Sequence, residues 1–273
     1  MSDWWARTAV EIAAAIAAGK VTAEEVMASH LARVDAVNGK LNAITVRLDE
    51  EAMADARAAD RAQGEGRPLG PLHGVPVTIK ENVDQKGFAT TNGVEAFKDV
   101  VAPEDSPVVA NLRKAGAIPM GRTNTPEFSL RYFTDNVLRG ATLNPWDAGL
   151  TPGGSSGGAG VAVAVGMGAI GHGNDLGGSI RYPAYANGIV GIRPSFGRVP
   201  AYNPTQAEER PPTIQLMSVQ GPHCRTVADT RVALEAMAAR DPRDPWWVPA
   251  PIEAAALHRP PRAAICVDPG GLG

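Results

Sequence analysis

Residues 151–181 read TPGGSSGGAGVAVAVGMGAIGHGNDLGGSIR, a glycine- and serine-rich stretch with two serine turns, GGSSGG and GGSIR. Glycines on both sides of a serine let the backbone turn sharply and bring N–H groups close to a ligand, as a nucleophile with an oxyanion hole requires. A flexible linker is also rich in glycine and serine, but these glycines alternate with apolar residues that a solvated linker does not need. The stretch therefore predicts packed turns at a functional site.

A nucleotide-binding loop is the first alternative for this stretch. Gly166, Gly168 and Gly171 satisfy the G-x-G-x-x-G spacing after an apolar run. That fingerprint needs a following helix with its N-terminus on the pyrophosphate, and an acidic residue about twenty positions further on. The chain continues as HGNDLGGSIRYP, and no acidic residue lies between Asp175 and Glu208. We therefore expect no nucleotide cofactor.

A Ser-His-Asp triad is the second alternative, because the chain contains 5 histidines. The nucleophile elbow G-x-S-x-G is absent around Ser179, where the order is Gly-Gly-Ser-Ile-Arg. His172, seven positions before Ser179, is the one histidine that we expect near the pocket.

Without histidine, a serine needs another base, and lysine is the candidate that can serve near neutral pH. Its pKa must then fall by about three units, which burial at the end of a strand achieves. Lys80 directly follows the apolar segment VPVTI and is therefore the candidate base.

Composition excludes several function classes. The 273 residues carry 26 basic and 29 acidic side chains, a net charge of −3, and no run of Lys or Arg, so nucleic acid is not an expected partner. Cys224 and Cys266 form no CxxC pair, so neither a disulfide framework nor a zinc site is indicated. The N-terminus lacks signal-peptide features, and the longest apolar run is too short to span a bilayer. We expect a cytoplasmic protein with no membrane contact.

Alternating helical and β-forming segments predict an α/β fold with a central sheet. Thr8 with Glu11 and Thr22 with Glu25 have the capping-box spacing of helix starts, and Asn38-Gly39 predicts the end of the second helix. The predicted helices cover residues 9–18, 23–37, 50–62, 106–115 and 227–240, and the predicted strands cover residues 41–46, 75–79, 117–120 and 263–267.

Five segments occur in an order and spacing that resembles the amidase signature family of serine hydrolases. They are GVPVTIKENVD, GRTNTPEF, NPWD, TPGGSSGGAG and GNDLGGSIRYPA, between about Leu72 and Pro200. The resemblance implies a mixed β-sheet core covered by helices on both faces. It also implies a single domain over residues 1–273, divided into an N-terminal helical region (1–70), a catalytic core (71–200) and the start of a C-terminal part (201–273).

The resemblance also implies a Ser-Ser-Lys catalytic unit made of Lys80, Ser155 and Ser179, with a cis peptide bond before Ser155. Neutral Lys80 would take a proton from Ser155, which takes the proton of Ser179, and Ser179 Oγ attacks the substrate carbonyl. The backbone N–H groups expected to bind the oxyanion belong to Leu176, Gly177, Gly178 and Ser179. The residues expected to support the site are Ser156, Asp175 and Arg181.

Two features depart from the usual pattern of the family. His172 and Asn174 stand where small residues and Thr or Ser are more usual, which predicts an altered pocket near Ser179. Family members are usually considerably longer, so we expect the C-terminal part of the fold to be incomplete. An open sheet edge favours self-pairing, and a homodimer is therefore among the expected partners.

The leading hypothesis is an amidase that hydrolyses the C–N bond of a small or aryl carboxamide through an acyl-enzyme on Ser179. It needs no metal or cofactor. One alternative is the glutaminase-type component of a tRNA-dependent amidotransferase, which would need partner subunits. The other is a catalytically silent, truncated amidase fragment. The charge balance and the TNTPEF and NPWD segments favour the stand-alone amidase.

Overall fold

A six-stranded mixed β-sheet forms the centre of the molecule, for which a computed structural model describes residues 3–206, 208, 211–252, 262 and 271. The spatial order is β1-β3-β2-β4-β6-β5. Strand β2 runs parallel to β3 and β4, whereas the β1–β3, β4–β6 and β5–β6 pairs are antiparallel. The strands are β1 (Ile44–Arg47), β2 (Pro76–Lys80), β3 (Ile118–Thr123), β4 (Ile170–Asp175), β5 (Val190–Gly191) and β6 (Val219–Cys224).

Eight α-helices in the described part of the chain surround this sheet. They are α1 (Ala9–Ala17), α2 (Ala23–Leu41), α3 (Asp49–Gly64), α4 (Pro107–Lys114), α5 (Gly157–Ala164), α6 (Arg181–Asn187), α7 (Pro212–Met217) and α8 (Val227–Met237). None of the helices in the described residues combines the length and the apolar character needed to cross a bilayer.

The helix starts predicted from capping boxes are confirmed. The Thr8 hydroxyl accepts a hydrogen bond from the N–H of Glu11 at 3.1 Å, and the Glu11 carboxylate accepts from the N–H of Thr8 at 2.9 Å. Thr22 and Glu25 form the same reciprocal pair at the start of α2. These bonds satisfy backbone donors that the first turn of a helix leaves without partners.

The predicted end of α2 is wrong, because the helix continues through Asn38-Gly39 to Leu41. The Asn38 side chain does not end the helix: its Nδ2 donates to the carbonyl of Ile44 at 2.8 Å, and its Oδ1 accepts from the N–H of Ala43 at 3.0 Å. Asn38 therefore joins the helix to the strand that returns from it. Asn42, in the left-handed region at φ 50, is the residue at which the helix ends.

The other predicted elements are confirmed with shifted ends. The strand predicted over residues 41–46 begins at Ile44, and the last helix ends at Met237 rather than at residue 240. The predicted strand 263–267 lies outside the described residues. Gly166 and Gly168 lie in the turn between α5 and β4, and β4 begins at Ile170, so a strand follows where a nucleotide loop needs a helix.

Both faces of the sheet carry helices. Helix α5 lies close against β4, because a Cβ on Gly171 would contact the Ala159 carbonyl at 3.1 Å. Gly171 and Gly173 face α5 and Ser156, so the residue between them, His172, points to the opposite face, the side on which α8 lies. The apolar residues between these layers form one buried cluster, in which each fully buried Val, Leu, Ile or Met side chain contributes about 1.5–3 kcal/mol of hydrophobic stabilisation.

The parallel arrangement of β2, β3 and β4 brings their carboxyl ends to one edge of the sheet. Lys80, Thr123 and Asp175 are the last residues of these strands. Ligand sites of open α/β sheets lie at this kind of edge. The topology therefore places the candidate site beyond the ends of β2 and β4.

We predict that acid lowers stability through buried histidines, of which His30 on α2 gives the cleanest test. Burial lowers the pKa of His30 from 6.5 to about 4. Because the unfolded chain binds a proton near pH 6.5 and the folded chain does not until about pH 4, the stability from this group is lost as pH falls through that window. At pH 5 the loss is about 2 kcal/mol.

Urea unfolding at pH 7 and pH 5 checks this prediction. The His30→Leu variant should lose less unfolding free energy between these two pH values than the wild-type protein. An equal loss in both proteins would show that His30 is not responsible.

Candidate active site

Lys80 is completely buried at the last position of β2. Its Nζ lies 2.7 Å from Ser155 Oγ and 2.7 Å from Asn174 Oδ1. Burial lowers the pKa of Lys80 well below its usual value of 10.5, and the negative charge of Asp175 only partly opposes this shift. The amine is thus poised to act as a base toward the Ser155 hydroxyl.

Ser155 lies in a turn that only glycine-rich sequence can form. The Gly154–Ser155 peptide bond is cis, as the resemblance implies. A Cβ on Gly154 would lie 2.5 Å from the carbonyl oxygen of Arg131, and a Cβ on Gly158 would lie 2.5 Å from the backbone nitrogen of Asn124. Both distances are too short for any side chain, so these glycines let the turn approach the neighbouring backbone.

The Ser179 turn is built around the carboxylate of Asp175. This carboxylate accepts hydrogen bonds from the N–H of Gly178 at 2.8 Å, the N–H of Ile180 at 3.1 Å and Nε of Arg181 at 3.0 Å. Burial alone would raise the pKa of Asp175, but the hydrogen bonds from Arg181 and the backbone outweigh it and hold this pKa below its ordinary value. Asp175 and Arg181 together hold the turn that carries Ser179.

The N–H groups expected to bind an oxyanion differ in their availability. The N–H of Gly178 already donates to Asp175 Oδ1, so it is not a free donor. The N–H groups of Leu176, Gly177 and Ser179 have no acceptor among the described residues. The structure therefore leaves three of the four expected donors available.

Ser156 connects the two serine turns. Its backbone N–H donates to the carbonyl of Ser179 at 3.3 Å, and its hydroxyl donates to the carbonyl of Asn174 at 3.4 Å. The Ser156 side chain is buried and does not line the cavity described below. Its contacts keep the GGSSGG turn and the GGSIR turn side by side.

A cavity of about 650 Å³ opens onto this site, and both Ser155 and Ser179 lie in its wall. Its volume is within the range of small-molecule sites. The rings of Phe97 and Phe128 meet edge to face, with centroids 6.0 Å apart and an interplanar angle of 87°. The apolar part of the wall contains Phe97, Val100, Phe128, Leu130, Leu176 and Ile214.

The expectation that His172 lines the pocket is not met. Its side chain is fully buried on the other face of the sheet, where Nε2 lies 2.8 Å from Gln220 Oε1. Burial lowers the pKa of His172 to about 3, which keeps the ring neutral near pH 7. His172 is thus a packed, hydrogen-bonded core residue.

Two further site residues had no catalytic or supporting role in the sequence-based prediction: Asn82, which was passed over, and Asn174, which was expected only to alter the pocket. Asn174 contacts Lys80 directly, and its Nδ2 donates to Asn82 Oδ1 at 2.9 Å. Both asparagines line the cavity. Their positions in the sequence could have indicated this. Asn82 is two residues beyond Lys80 and Asn174 is next to Asp175, and Lys80 and Asp175 end neighbouring strands.

A profile of the amidase family matches residues 25–269. The chain belongs to this family. The indoleacetamide hydrolase of Bradyrhizobium diazoefficiens is 57% identical over 268 residues, which cover 98% of this chain and 51% of that protein. A glutamyl-tRNA(Gln) amidotransferase component from Acidothermus cellulolyticus is 41% identical over 252 residues, 92% of this chain and 49% of that protein.

The similar solved structures include an enzyme of the amidase signature family. A bacterial aryl acylamidase of this family is 33% identical, with a TM-score of 0.83 over 89% of this chain and 50% of that chain. The chain spans about half the length of the curated relatives it matches. In the described part of the chain, no group of three or more His, Cys, Asp or Glu side chains is arranged to hold a metal ion.

We predict that replacing Lys80 by Met changes how stability depends on pH. The lowered pKa of Lys80 means that the unfolded chain binds a proton that the folded chain lacks, at any pH between the two pKa values. Folding is therefore penalised more as pH falls, and Lys80→Met removes this penalty. The unfolding free energy of the variant relative to wild type should rise as pH is lowered from 9 to 6.

Urea unfolding of both proteins at pH 6, 7.5 and 9 measures this difference. Lys20→Met, at an exposed lysine, is the matched control and should show no such trend. A difference between Lys80→Met and wild type that stays constant across the three pH values would contradict the prediction.

Proposed function

We propose that this chain is an amidase that hydrolyses the C–N bond of an aryl or small carboxamide through an acyl-enzyme on Ser179. The observation that carries the proposal is the 2.7 Å contact between the buried Lys80 amine and Ser155 Oγ. A fully buried lysine beside a serine hydroxyl is costly to maintain unless its neutral form is used. Together with Ser179 in the same cavity wall, the pair supports serine nucleophilic catalysis.

In the proposed mechanism, neutral Lys80 accepts the proton of the Ser155 hydroxyl, and Ser155 accepts that of Ser179. Ser179 Oγ forms a bond to the carbonyl carbon of the amide. The C–N bond then breaks, and the leaving nitrogen takes the proton that Ser155 returns from the Lys80 ammonium. Water attacks the resulting ester by the same proton path in reverse and releases the carboxylic acid and free Ser179.

The negative charge on the carbonyl oxygen would be stabilised by the free backbone N–H groups of Leu176, Gly177 and Ser179. A well-placed donor of this kind contributes roughly 3 kcal/mol to the transition state. Gly178 contributes indirectly, because its N–H bond to Asp175 fixes the shape of the turn.

An aryl acyl group is the substrate class that the cavity supports best. Phe97 and Phe128 offer edge and face contacts to a planar ring, and Val100 and Leu130 add apolar surface to the same wall. The name of the relative with 57% identity, indoleacetamide hydrolase, agrees with this class. We therefore propose an arylacetamide such as indoleacetamide as the substrate, with ammonia as the second product.

The glutaminase-type amidotransferase component is the second candidate, favoured by 41% identity to such a protein. The aromatic pair and the other apolar residues of the wall fit an aryl group better than the charged amino-acid end of glutamine, which favours the stand-alone enzyme. We also propose a homodimer, because an open sheet edge favours self-pairing. We propose a cytoplasmic location, because the two cysteines indicate no disulfide framework.

We predict that a fluorophosphonate probe labels wild-type protein on Ser179, with the site read by mass spectrometry. Ser179→Ala should abolish labelling, and Ser155→Ala should slow it by about 10²–10⁴-fold, because the proton relay is broken. Ser195→Ala, at an exposed serine outside the cavity, is the control and should label at the wild-type rate. Wild-type protein that folds and takes no label would favour the silent-fragment alternative.

We also predict that Phe128→Ala raises KM for indoleacetamide at least about tenfold while acetamide hydrolysis changes little. The reason is that an aromatic contact is lost only for the aryl substrate. Ammonia release from indoleacetamide, acetamide and glutamine measures the preference. Release from glutamine that exceeds release from indoleacetamide would support the amidotransferase component instead.

A further inference from the structure

A continuous chain of four side-chain hydrogen bonds runs from the base along the wall of the cavity. Lys80 Nζ donates to Asn174 Oδ1 at 2.7 Å, and Asn174 Nδ2 donates to Asn82 Oδ1 at 2.9 Å. Asn82 Nδ2 donates to Ser129 Oγ at 2.9 Å, and Ser129 Oγ donates to Asn92 Oδ1 at 2.9 Å. All four links have the same donor-to-acceptor direction, so each bond polarises and strengthens the next.

We infer that Asn174 and Asn82 are positioning residues for the base Lys80: Asn174 accepts one Lys80 N–H so that the amine lone pair points at Ser155, and Asn82 fixes the orientation of the Asn174 amide. The inference rests on the proposed amidase function. It adds two residues whose side-chain hydrogen bonds within the described part of the chain go to Lys80, to each other and to Ser129, and not to Ser179.

The bonding capacity of a neutral amine explains why Asn174 matters. Neutral lysine has two N–H donors and a single lone pair, and only the lone pair can take a proton from Ser155. Asn174 Oδ1 is an acceptor only, so an N–H of Lys80 must point at it. With that N–H held, the lone pair can lie toward Ser155 Oγ, 2.7 Å away.

Asn82 matters because an amide has two different ends. If the Asn174 amide rotated by half a turn, its NH₂ group would face Lys80. The amine could then bond it only as an acceptor, with the lone pair that it needs for the Ser155 proton. The side-chain oxygen Oδ1 of Asn82 prevents this rotation by accepting a hydrogen bond from Asn174 Nδ2. The backbone of Asn82 is held in turn, since its carbonyl accepts from Asn203 Nδ2 at 3.1 Å.

The far end of the chain lies in an unusual turn that presents Phe128 to the cavity. Phe128 at φ 55 and Ser129 at φ 59 both occupy the left-handed region, which is uncommon for residues other than glycine. Ser129 Oγ also lies 3.0 Å from Thr125 Oγ1. One hydroxyl therefore links the turn that carries the proposed aryl contact to the amides that orient the base.

Few titratable groups interact with Lys80, so a change in its protonation is measurable. Its charge interacts electrostatically with Asp175 and His172 on β4 and with His223 on β6. Burial lowers the pKa of His172 to about 3 and that of His223 to about 4, so neither ring titrates near neutral pH. Glu81, next in the chain, is paired with Arg139 at 2.6 Å.

Leu substitutions at both asparagines and an Asp substitution at Asn174 should change the activity and its pH dependence in different ways. Asn174→Leu and Asn82→Leu remove the oriented acceptor and should lower kcat for indoleacetamide about 10- to 100-fold, with KM within about threefold of wild type. Asn174→Asp keeps an acceptor but adds a negative charge beside the amine. It should retain a higher kcat at high pH than Asn174→Leu, and the acid limb of its pH profile should move to higher pH by at least one unit, roughly.

The matched control is Gln63→Leu, which removes a hydrogen bond from the Gln63 side-chain amide to the Ile16 carbonyl, far from the cavity. It should leave kcat and the pH profile unchanged, and thermal unfolding shows whether each variant is folded. A merely structural role would lower activity only in step with stability and would not move the acid limb. Leu variants with wild-type kcat, or an unmoved limb in Asn174→Asp, overturn the inference.

A second measurement does not depend on turnover. NMR titration of isotopically labelled lysine follows the Lys80 amine directly in wild type, Asn174→Leu and Asn174→Asp. We expect the Lys80 pKa to be lower in Asn174→Leu and higher in Asn174→Asp than in wild type. If the wild-type protein neither turns over nor takes the fluorophosphonate, the proposed function fails. If the Lys80 pKa is the same in all three proteins, this inference fails.

Discussion

The burial of one amine at the end of a central strand is the constraint on which the rest of the site depends. Lys80 has no solvent to hydrate a positive charge, so its protonated form is disfavoured and its neutral form must find hydrogen-bond partners within the protein. Ser155 and Asn174 supply them, each at 2.7 Å. Because β2 is parallel to both of its neighbours, the strand end that buries the lysine also brings it to the ends of β3 and β4.

The two serine turns meet the lysine because backbone segments approach each other more closely than any side chain would allow. Gly154 and Gly158 lie against the backbone of residues 131 and 124, which sets the position of Ser155. The second turn is held by a buried carboxylate, since Asp175 gathers backbone N–H groups and the Arg181 guanidinium. Asp175 leaves the N–H groups of Leu176, Gly177 and Ser179 without an acceptor among the described residues, and these are the proposed oxyanion donors.

Local signals in the sequence located most of the fold. Capping boxes at Thr8 and Thr22 marked helix starts correctly, because a cap is made within four residues of chain. The end of α2 was missed, because the Asn38 side chain forms hydrogen bonds with the backbone of Ala43 and Ile44, at the start of the following strand, and does not end its own helix. The ordered motifs brought Lys80, Ser155 and Ser179 into one hypothesis. Asn82 lies within the segment GVPVTIKENVD, but it was given no role because the sequence does not show that its side chain bonds to Asn174.

The sequence by itself determined the helix starts at Thr8 and Thr22, the first three strands and the two glycine-flanked serine turns, since each depends on neighbouring residues. Tertiary structure alone decided that His172 faces away from the cavity, that the Gly178 N–H is already used, and that Asn174 contacts Lys80. The physical reason is that the pairing of β2 with β4 brings together side chains 94 positions apart, such as Lys80 and Asn174, and hydrogen bonds depend on distances that no local pattern encodes.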